Sequence, residues 1–352
     1  MKKSTPLLVI LTPGFPEGEY DSTCLPFLQS LVKAINRQFS SIEVMIFSFQ
    51  YPYIKSPYLW NGNVVIPFNG RNRGKVARRL LWLRVWRKLI SLRTNHNLAG
   101  VFSLWCGETA LIGHRFANRS GVPHYCWVLG QEAKAGNKYV DKTEPRAEEL
   151  IAISDFIADE FFKNYLLKPQ HVIPNGIDQS LFEKDSFVRT IDVLGAGSLI
   201  PLKQYEVFID CIAIIKKSFP KIYSVISGKG EEHSKLNEQI KAQGLQKNVM
   251  TTGELSHKSL LRLMQQAKIF LHPSSYEGFS MVCLEALYAG CHVISFCKPM
   301  KKDFEHWHVV KSKEEMIQKA TELLRIPNLE YTSVMPYSVE QTASSIMHLF
   351  SR

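Results

Sequence analysis

Short apolar runs alternate with helical segments along most of this chain, and this alternation constrains the fold more than any other feature. In the first half, the runs that predict strands lie at 7–11, 43–47, 101–104 and 124–129, with a helix at 22–36. In the second half they lie at 191–194, 223–226, 249–251, 269–271 and 293–296, with a helix at 205–219. Strands that alternate with helices build parallel sheets covered by helices, and 352 residues suffice for two such layers. We therefore predict an α/β protein of two domains.

Residues 269–290 predict a strand, a loop and a helix in succession. A short apolar run is followed by turn-forming residues that include Gly278, which is typical of the loop after a buried strand. We expect Ser280 to cap the next helix and Gly290 to end it. The amides of Gly278, Phe279 and Ser280 would then face out of the helix start, where partial positive charge favours a phosphate.

Two carboxylates flank this predicted helix start. Glu277 precedes the helix in the loop, and Glu285 lies within it. Two acceptors beside a phosphate site suit a polyol that is joined to a diphosphate. For either residue alone, a solvated glutamate on a loop or helix surface is an equally good interpretation. The combination favours a binding site.

The spacing of these carboxylates resembles a known family signature. Glu277 and Glu285 have seven residues between them in a Pro-Ser-x-x-Glu-Gly-Phe context, which is similar to the E-x7-E signature of the family-4 retaining glycosyltransferases. The resemblance covers 148–296 best and includes the segment 173–178 and two glycine turns. It is weaker in the first half, where 13–18 and 130–132 are similar to the family's acceptor-side loops.

The resemblance implies the GT-B fold, in which two Rossmann-like domains face one another across a cleft. It implies an acceptor-binding domain at 1–185 and a nucleotide-sugar-binding domain at 186–335. We expect a C-terminal helix within 336–352 to pack back on the first domain. Ligands of such sheets bind beyond the carboxyl ends of the strands.

The resemblance also implies roles for particular residues. Lys203 would neutralise the donor diphosphate, Glu277 would hold the sugar hydroxyls, and Glu285 would hold the ribose. The donor would further contact the backbone of two turns, at Gly197 and Ser198 and at Gly228, and the amides of 278–280. Gly14, Gly18 and Glu132 would lie on the acceptor side. No metal and no cofactor are implied, and no protein base is named because a donor phosphate oxygen is usually proposed to take the acceptor's proton.

Two positions depart from the family pattern. Retaining relatives usually place an arginine where this chain has Ser198, so one cation for the diphosphate is missing. They often place a histidine where this chain has Leu129, which removes a hydrogen bond to the transferred sugar. Either another basic residue substitutes, or donor affinity and turnover are lower than is usual.

The implied function is retaining transfer of a sugar from a UDP- or GDP-sugar to a glycan or lipid-linked acceptor in cell-surface polysaccharide synthesis. Two alternatives stay open: a non-catalytic subunit that binds nucleotide or glycan, and a nucleotide-sugar epimerase or hydrolase, for which no acid or base is identified. A Rossmann dehydrogenase is disfavoured because neither glycine turn completes G-x-G-x-x-G. His124 and His272 lack metal-ligand spacing and are predicted to be core or wall histidines.

Positive charge is concentrated in one segment of a chain whose formal net charge is +11. No Asp or Glu occurs between Glu43 and Glu108, whereas 71–93 contains many basic residues: Arg71, Arg73, Lys75, Arg78, Arg79, Arg84, Arg87, Lys88 and Arg93. As a helix, this segment places Trp82, Leu83, Trp86, Leu89 and Ile90 on one side. The pattern suits either an amphipathic helix on an anionic membrane surface or a helix with an inward apolar side and a solvated basic face. No nucleic-acid-binding signature accompanies the charge.

Cysteine usage and apolar run lengths bear on location. The seven cysteines are odd in number and form no C-x-x-C pair, which disfavours a disulfide framework or a zinc site. No apolar run approaches the roughly 18 residues that cross a bilayer. We predict a cytoplasmic protein, with peripheral attachment to the inner face of the membrane if the basic segment binds lipid.

Overall fold

The computed structural model describes residues 3–184 and 187–351. They form two compact units, one of Met1–Gly176 with Val339–Arg352 and one of Ile177–Ser338. We call these unit 1 and unit 2. The divisions fall near, but not at, the predicted boundaries after 185 and after 335.

Unit 1 contains a sheet of eight strands with helices packed against it. In chain order the strands are β1 (Lys3–Gly14), β2 (Glu43–Tyr51), β3 (Tyr58–Trp60), β4 (Asn63–Pro67), β5 (His96–Leu104), β6 (His124–Val128), β7 (Leu150–Ala152) and β8 (His171–Val172). Their order across the sheet is β3-β4-β2-β1-β5-β6-β7-β8, and all pairs are parallel except β3 with β4. The helices are α1 (Pro26–Gln38), α2 (Lys75–Asn95), α3 (Glu108–Ser120), α4 (Lys138–Thr143) and α5 (Asp155–Tyr165).

Unit 2 contains a fully parallel sheet of six strands. They are β9 (Ile191–Ala196), β10 (Ser224–Ser227), β11 (Val249–Gly253), β12 (Ala267–His272), β13 (His292–Ser295) and β14 (Trp307–Val309), in the order β11-β10-β9-β12-β13-β14. The helices are α6 (Tyr205–Ile215), α7 (His233–Ala242), α8 (His257–Gln265), α9 (Met281–Tyr288) and α10 (Lys313–Arg325). Buried aliphatic and aromatic side chains from strands and helices form one core, among them Val193, Phe208, Ile269 and Leu271.

The strand order reverses once in each sheet, and these reversals position the candidate sites. In unit 1 the reversal lies between β1 and β5, and in unit 2 it lies between β9 and β12. At such a point the loops from the carboxyl ends of the two neighbouring strands separate and leave a crevice for a ligand. The loops after β9 and β12 carry Lys203 and Glu277, the two residues predicted to be catalytic.

The predicted strands are confirmed, but the first helix starts later than the sequence pattern indicates. It begins at Pro26, directly after Leu25, whose backbone is left-handed with φ 48°. The preceding residues form a turn in which the Asp21 carboxylate accepts the amide hydrogens of Thr23 and Cys24. Proline suits the first helical turn because that turn needs no amide donor from it.

The side chains of α2 are divided between the core of unit 1 and solvent. Leu81, Val85, Leu89 and Leu92 are buried, and the two tryptophans and Ile90 pack partly buried against the same core. The predicted apolar side of α2 therefore faces the core, which was one of the two alternatives; the other was contact with a membrane surface. The assignment of Leu83 to that side is wrong, since Leu83 is 43% exposed.

The last helix, α11 (Val339–Phe350), belongs to unit 1 and packs against α1. The ring of Phe350 lies edge-on to those of Tyr125 and Phe102, with centroids 5.0 and 6.3 Å away. The Tyr125 hydroxyl donates to the Leu349 carbonyl at 3.0 Å. Across residues 3–184 and 187–351, no helix has the length and apolar character needed to cross a membrane.

Candidate functional site

Lys203 and Glu277 meet in unit 2, where the turn after β9 lies beside the loop after β12. The Lys203 ammonium forms an ion pair with the Glu277 carboxylate, and the two side chains are 18% and 14% exposed. The two loops are joined by a hydrogen bond from the Ser275 amide to the Leu202 carbonyl at 3.0 Å. Because β9 and β12 are neighbours in the sheet, residues 74 positions apart come into contact.

His272, at the end of β12, contacts the same carboxylate oxygen as Lys203. Its Nε2 lies 2.8 Å from the Glu277 Oε1, and its side chain is 2% exposed. Burial alone would raise the pKa of Glu277, but the hydrogen bond and charge from His272 and the charge of Lys203 outweigh it and lower the pKa to about 2. Glu277 is therefore ionised near neutral pH. His272 is buried as predicted for a core or wall histidine, yet its ring contacts the site directly.

The loop that carries Glu277 leads into the start of α9. Ser280 occupies the predicted N-cap position, but in the described residues its hydroxyl makes no capping hydrogen bond and lies 3.3 Å from the His272 Nε2 instead. The Phe279 side chain is 6% exposed and packs beside Trp307 and Tyr337. Residues 278–280 thus lie directly before the helix, where the charge of the dipole is positive. Their contact with a phosphate stays a prediction.

Glu285 is buried on α9, where a surface glutamate was the alternative. Its Oε1 lies 2.7 Å from the Nε2 of His257, at the start of α8. Burial would lower the pKa of His257, but the hydrogen bond and charge of Glu285 outweigh it and raise that pKa. His257 was not predicted, because it lies 28 positions from Glu285 and shares no local motif with it.

The two predicted glycine turns of unit 2 touch each other through their backbones. Gly197 and Gly228 have φ of +149° and +155°, and the Gly197 amide donates to the Ser227 carbonyl at 3.0 Å. A Cβ at position 228 would lie 1.8 Å from the Gly197 carbonyl oxygen. Glycine is therefore required at 228, and the backbones of both turns come close together at the carboxyl ends of β9 and β10.

Ser198 is exposed beside these turns, and the cation next along the second turn is engaged elsewhere. Lys229 forms an ion pair with Glu254.

Tyr205 is a further residue of the site that was not predicted. Its side chain is 1% exposed, and its hydroxyl has no hydrogen-bond partner within residues 3–184 and 187–351. A Cβ on Gly197 would lie 3.1 Å from that hydroxyl, so the Tyr205 side chain packs against the first turn.

On the acceptor side, the predicted residues lie in loops at the carboxyl edge of the unit 1 sheet. Gly14 ends β1, and Gly18 lies four residues further on, against the ring of Tyr20. The Glu132 carboxylate accepts the amide hydrogens of Leu129 and Gly130 at 2.6 and 3.0 Å. Burial raises the pKa of Glu132 to about 6 against the effect of these amides. Glu132 therefore holds its own loop together, and a contact with acceptor stays a prediction.

A pocket of about 380 Å³ opens beside this loop in unit 1. Trp105, Gln131, Glu132 and Tyr139 are among the residues that line it. Glu108 lies nearby in sequence, at the start of α3, but its carboxylate accepts hydrogens from the Trp82 ring at 2.7 Å and from the Gln50 amide. The polar groups at this edge are thus divided between the pocket wall and the packing of α2.

His124 belongs to a buried group that its sequence spacing does not reveal. Ligand atoms of His114, His124 and Glu149 lie within 4.8 Å of one another. Glu149 is bound by His114 at 2.9 Å and by Arg146 at 2.7 Å, and Ser103 lies 2.9 Å from the His124 ring. Burial lowers the pKa of His124 to about 3. These contacts pair most of the polar groups with one another, as is usual for buried polar side chains. The His124 Nδ1 has no hydrogen-bond partner within residues 3–184 and 187–351.

Comparison with known proteins shows which family and which solved structures the chain is similar to. Residues 177–330 match the family described as glycosyl transferases group 1. The chain is 27% identical over 150 residues to MMP alpha-(1->4)-mannosyltransferase of Mycolicibacterium hassiacum, covering 42% of this chain and 36% of that protein. It is 31% identical over 103 residues to 2-deoxystreptamine N-acetyl-D-glucosaminyltransferase of Niallia circulans, covering 29% and 26%. The chain thus spans well under half the length of these relatives.

Solved structures match over nearly the whole chain. Sucrose-phosphate synthase from Thermosynechococcus elongatus has a TM-score of 0.72 at 14% identity, covering 98% of this chain and 95% of that one. HepE from Anabaena, in complex with UDP and glucose, has a TM-score of 0.66 at 14% identity, covering 96% and 94%. The fold is that of the GT-B glycosyltransferases, as the resemblance implied.

Proposed function

We propose that the chain is a retaining glycosyltransferase that moves a sugar from a UDP- or GDP-sugar to a glycan or lipid-linked acceptor in cell-surface polysaccharide synthesis. The observation that carries the proposal is the meeting of Lys203, His272 and Glu277 beside the start of α9, with Glu285 on the same helix. A cation, a helix start and two carboxylates provide complementary contacts for a diphosphate and for sugar hydroxyls. The predicted cytoplasmic location belongs to the same proposal.

The proposed donor contacts follow from charge. As the bond between sugar and diphosphate breaks, negative charge grows on the leaving phosphate, where Lys203 and the amides before α9 stabilise it. Glu277, ionised and held by His272, accepts hydrogen bonds from the sugar hydroxyls. Lys203 exchanges part of its contact with Glu277 for the diphosphate when donor binds. Glu285, held by His257, accepts hydrogen bonds from the ribose.

The glycine turns supply close backbone approach to the donor. A side chain at 228 would collide with Gly197, so both positions are glycine and carry no side chain that would keep a donor from the backbone at the ends of β9 and β10. We assign Gly197 and Ser198 to the diphosphate and Gly228 to the nucleoside. Gly14, Gly18 and the loop held by Glu132 are assigned to the acceptor, in unit 1.

The names of similar proteins support the donor class. HepE was solved with UDP and glucose, and a pneumococcal O-GlcNAc transferase of the same fold was solved with UDP and GlcNAc. The two curated relatives are named as a mannosyltransferase and as an N-acetyl-D-glucosaminyltransferase. A nucleotide diphosphate linked to a hexose is therefore the donor that we propose.

Release of nucleotide diphosphate tests the proposal. Purified protein is incubated with UDP- and GDP-linked hexoses, with and without glycan and lipid-linked acceptors, and the freed UDP or GDP is quantified. We expect one donor to be consumed faster with acceptor, and the anomeric proton of the product to show retained configuration by NMR. Release that persists unchanged in Lys203→Ala and Glu277→Gln, or product of inverted configuration, would contradict the assignment.

A non-catalytic binding subunit is the second candidate, and Ser198 is the observation that favours it. The position that usually holds an arginine carries an exposed hydroxyl, and Lys229 is paired with Glu254. Such a protein would bind nucleotide or glycan but release no nucleotide diphosphate with any donor and acceptor. A hydrolase would release nucleotide diphosphate without acceptor. An epimerase would release none but would change the sugar of the donor, so NMR of the donor after incubation separates it from a binding subunit.

A further inference from the structure

We propose that the outward side of α2 binds the surface of an anionic lipid bilayer. We call this side the α2 outer face and define it by three apolar and three basic residues: Val76, Leu80, Leu83, Arg79, Arg87 and Lys88. Membrane binding by this face goes beyond the proposed sugar transfer and does not depend on it. All six residues are exposed.

The apolar part of this face is not explained by the fold of unit 1. Val76, Leu80 and Leu83 are 68%, 57% and 43% exposed, and their spacing of four and three residues places them along one side of the helix. The core of unit 1 is already covered by the opposite side, where Val85 and Leu89 are fully buried. A helix whose outward side only meets water carries polar residues there. Three aliphatic side chains in a row instead suit insertion into the boundary between headgroups and acyl chains.

The basic part of the face supplies attraction to anionic headgroups. In the described parts of the chain, no ion pair joins Arg79, Arg87 or Lys88 to an acidic side chain, although other exposed lysines such as Lys229 are paired. The sequence holds no acidic residue from 44 to 107 that would offset these cations. Cations next to an anionic membrane surface each strengthen binding about fivefold.

The turn before the helix carries a further exposed cation, which lies next to an aromatic ring. Arg71 stacks over the ring of Tyr53, with the guanidinium carbon 5.0 Å from the ring centroid, and Tyr53 is 53% exposed. An aromatic ring beside a cation is typical of residues at the level of lipid headgroups. Exposed aliphatic side chains distinguish this surface from one that binds nucleic acid, where stacking aromatics and polar groups supply the contacts.

Vesicle co-sedimentation of the full chain, without nucleotide sugar, tests the proposal. The lipids are phosphatidylcholine alone, or phosphatidylcholine mixed with phosphatidylglycerol. We expect binding to the mixed vesicles, weakened by salt, and little binding to the neutral ones. Arg87→Ser/Lys88→Ser should weaken binding about twenty-five-fold, from about fivefold for each cation removed. Leu80→Ser/Leu83→Ser should weaken it by a similar factor through lost apolar burial.

A matched pair controls for net charge. Lys241→Ser/Lys247→Ser removes two exposed cations from unit 2, where α7 and the turn after it lie, and should leave vesicle binding unchanged. All variants alter exposed side chains, and unchanged thermal unfolding confirms that they fold. Three outcomes would overturn the proposal: no binding to mixed vesicles, equal loss in the control pair, or binding to duplex DNA or RNA but not to vesicles. Because no donor is present, neither result depends on the proposed transferase activity.

Discussion

At the scale of single residues, the charge of Glu277 depends on its two neighbours. A buried carboxylate is destabilised by loss of water, yet His272 and Lys203 lower its pKa to about 2. A carboxylate with this lowered pKa stays ionised from mildly acidic to alkaline pH. It is thus suited to accept hydrogen bonds from hydroxyls and unsuited to act as a general base near neutral pH.

Replacing Glu277 separates donor binding from turnover. Glu277→Gln keeps the shape of the side chain but removes the charge that we propose faces the sugar, so we expect the turnover number to fall about a hundredfold. Affinity for the free nucleotide diphosphate should not fall, because the variant frees Lys203 from its ion pair. Steady-state kinetics and nucleotide titration measure the two quantities. Glu254→Gln, which removes a surface carboxylate paired with Lys229, is the control and should change neither.

The pairing of His257 with Glu285 predicts a titration that can be measured. In the wild type the pKa of His257 lies above its usual value of 6.5 because Glu285 outweighs burial. Glu285→Gln leaves the burial and removes the charge, so the pKa should fall below 6.5. NMR of labelled histidine rings across roughly pH 5–9 follows the change. In Glu277→Gln the His257 titration should be unaltered; an equal fall there would disprove the specific pairing.

The sign of the effect on stability follows from the same shift. A histidine whose pKa is raised by folding stabilises the folded state fully below about 6.5, and this contribution is lost as the pH rises through the raised value. The His257–Glu285 contact therefore stabilises unit 2 more at about pH 6 than at about pH 9. Unfolding of wild type and Glu285→Gln at both pH values should show a difference that shrinks at the higher pH.

Ser198→Arg tests whether the missing cation limits donor affinity. Position 198 is exposed beside the Gly197 turn, so an arginine there has room to reach a diphosphate. A charge-assisted hydrogen bond to phosphate contributes about 1.5–3 kcal/mol, which predicts nucleotide diphosphate affinity higher by about tenfold or more. Calorimetric titration measures it. Ser275→Arg, on an exposed position of the neighbouring loop, is the control for charge alone. Equal gains in both variants would show a general electrostatic effect rather than a restored contact.

At the scale of elements, the two glycine turns of unit 2 act as one structural piece. A Cβ on residue 228 would lie 1.8 Å from the Gly197 carbonyl oxygen, a distance that only backbone movement relieves. We expect Gly228→Ala to lower the free energy of unfolding of unit 2 by about 3 kcal/mol. Gly244→Ala has φ +63° but no atom within 4 Å of the added Cβ, so it should cost only about 1 kcal/mol. Urea unfolding followed by far-UV circular dichroism compares them, and equal costs would contradict the close contact.

Helix α11 is expected to stabilise unit 1 through one buried aromatic side chain. Phe350 is 8% exposed and packs on Tyr125 and Phe102, so Phe350→Ala should lower the free energy of unfolding of unit 1 by about 3 kcal/mol. Trp60, Trp82, Trp86, Trp105 and Trp127 all lie in unit 1, so tryptophan fluorescence during urea unfolding reports mainly on that unit. Ser345→Ala, on the exposed side of the same helix, should have little effect. Similar losses in both variants would contradict the packing role.

At the scale of the whole molecule, the fold class follows from the alternation of apolar runs with helical segments, because a buried parallel strand needs a continuous apolar run. Strands of two or three residues, such as β3, β8 and β14, were missed since they are too short to show a period. A core-facing apolar side of α2 was one of the two alternatives left open by the sequence, and Leu83 was misplaced on that side because the helix is apolar on both sides.

Only the site residues that belong to a local sequence motif could be predicted. Glu277, Glu285 and Lys203 stand in recognisable segments, and the strand order brings Lys203 to Glu277. His257 and Tyr205 are absent from any such segment, because their relation to the site exists only after distant loops and helices have packed together. The turn at Gly228 was predicted, but the reason for its glycine, the backbone of Gly197, was not.

Titration of UDP and GDP into the purified chain by calorimetry tests the central claim, that the loops after β9 and β12 with α9 form a nucleotide diphosphate site. We predict binding of one of the two nucleotides, weakened about tenfold to a hundredfold by Lys203→Ala and also weakened by Glu285→Ala, with Lys241→Ala as a control that changes nothing. Absence of binding by either nucleotide, or binding that both site variants leave intact, would contradict the account.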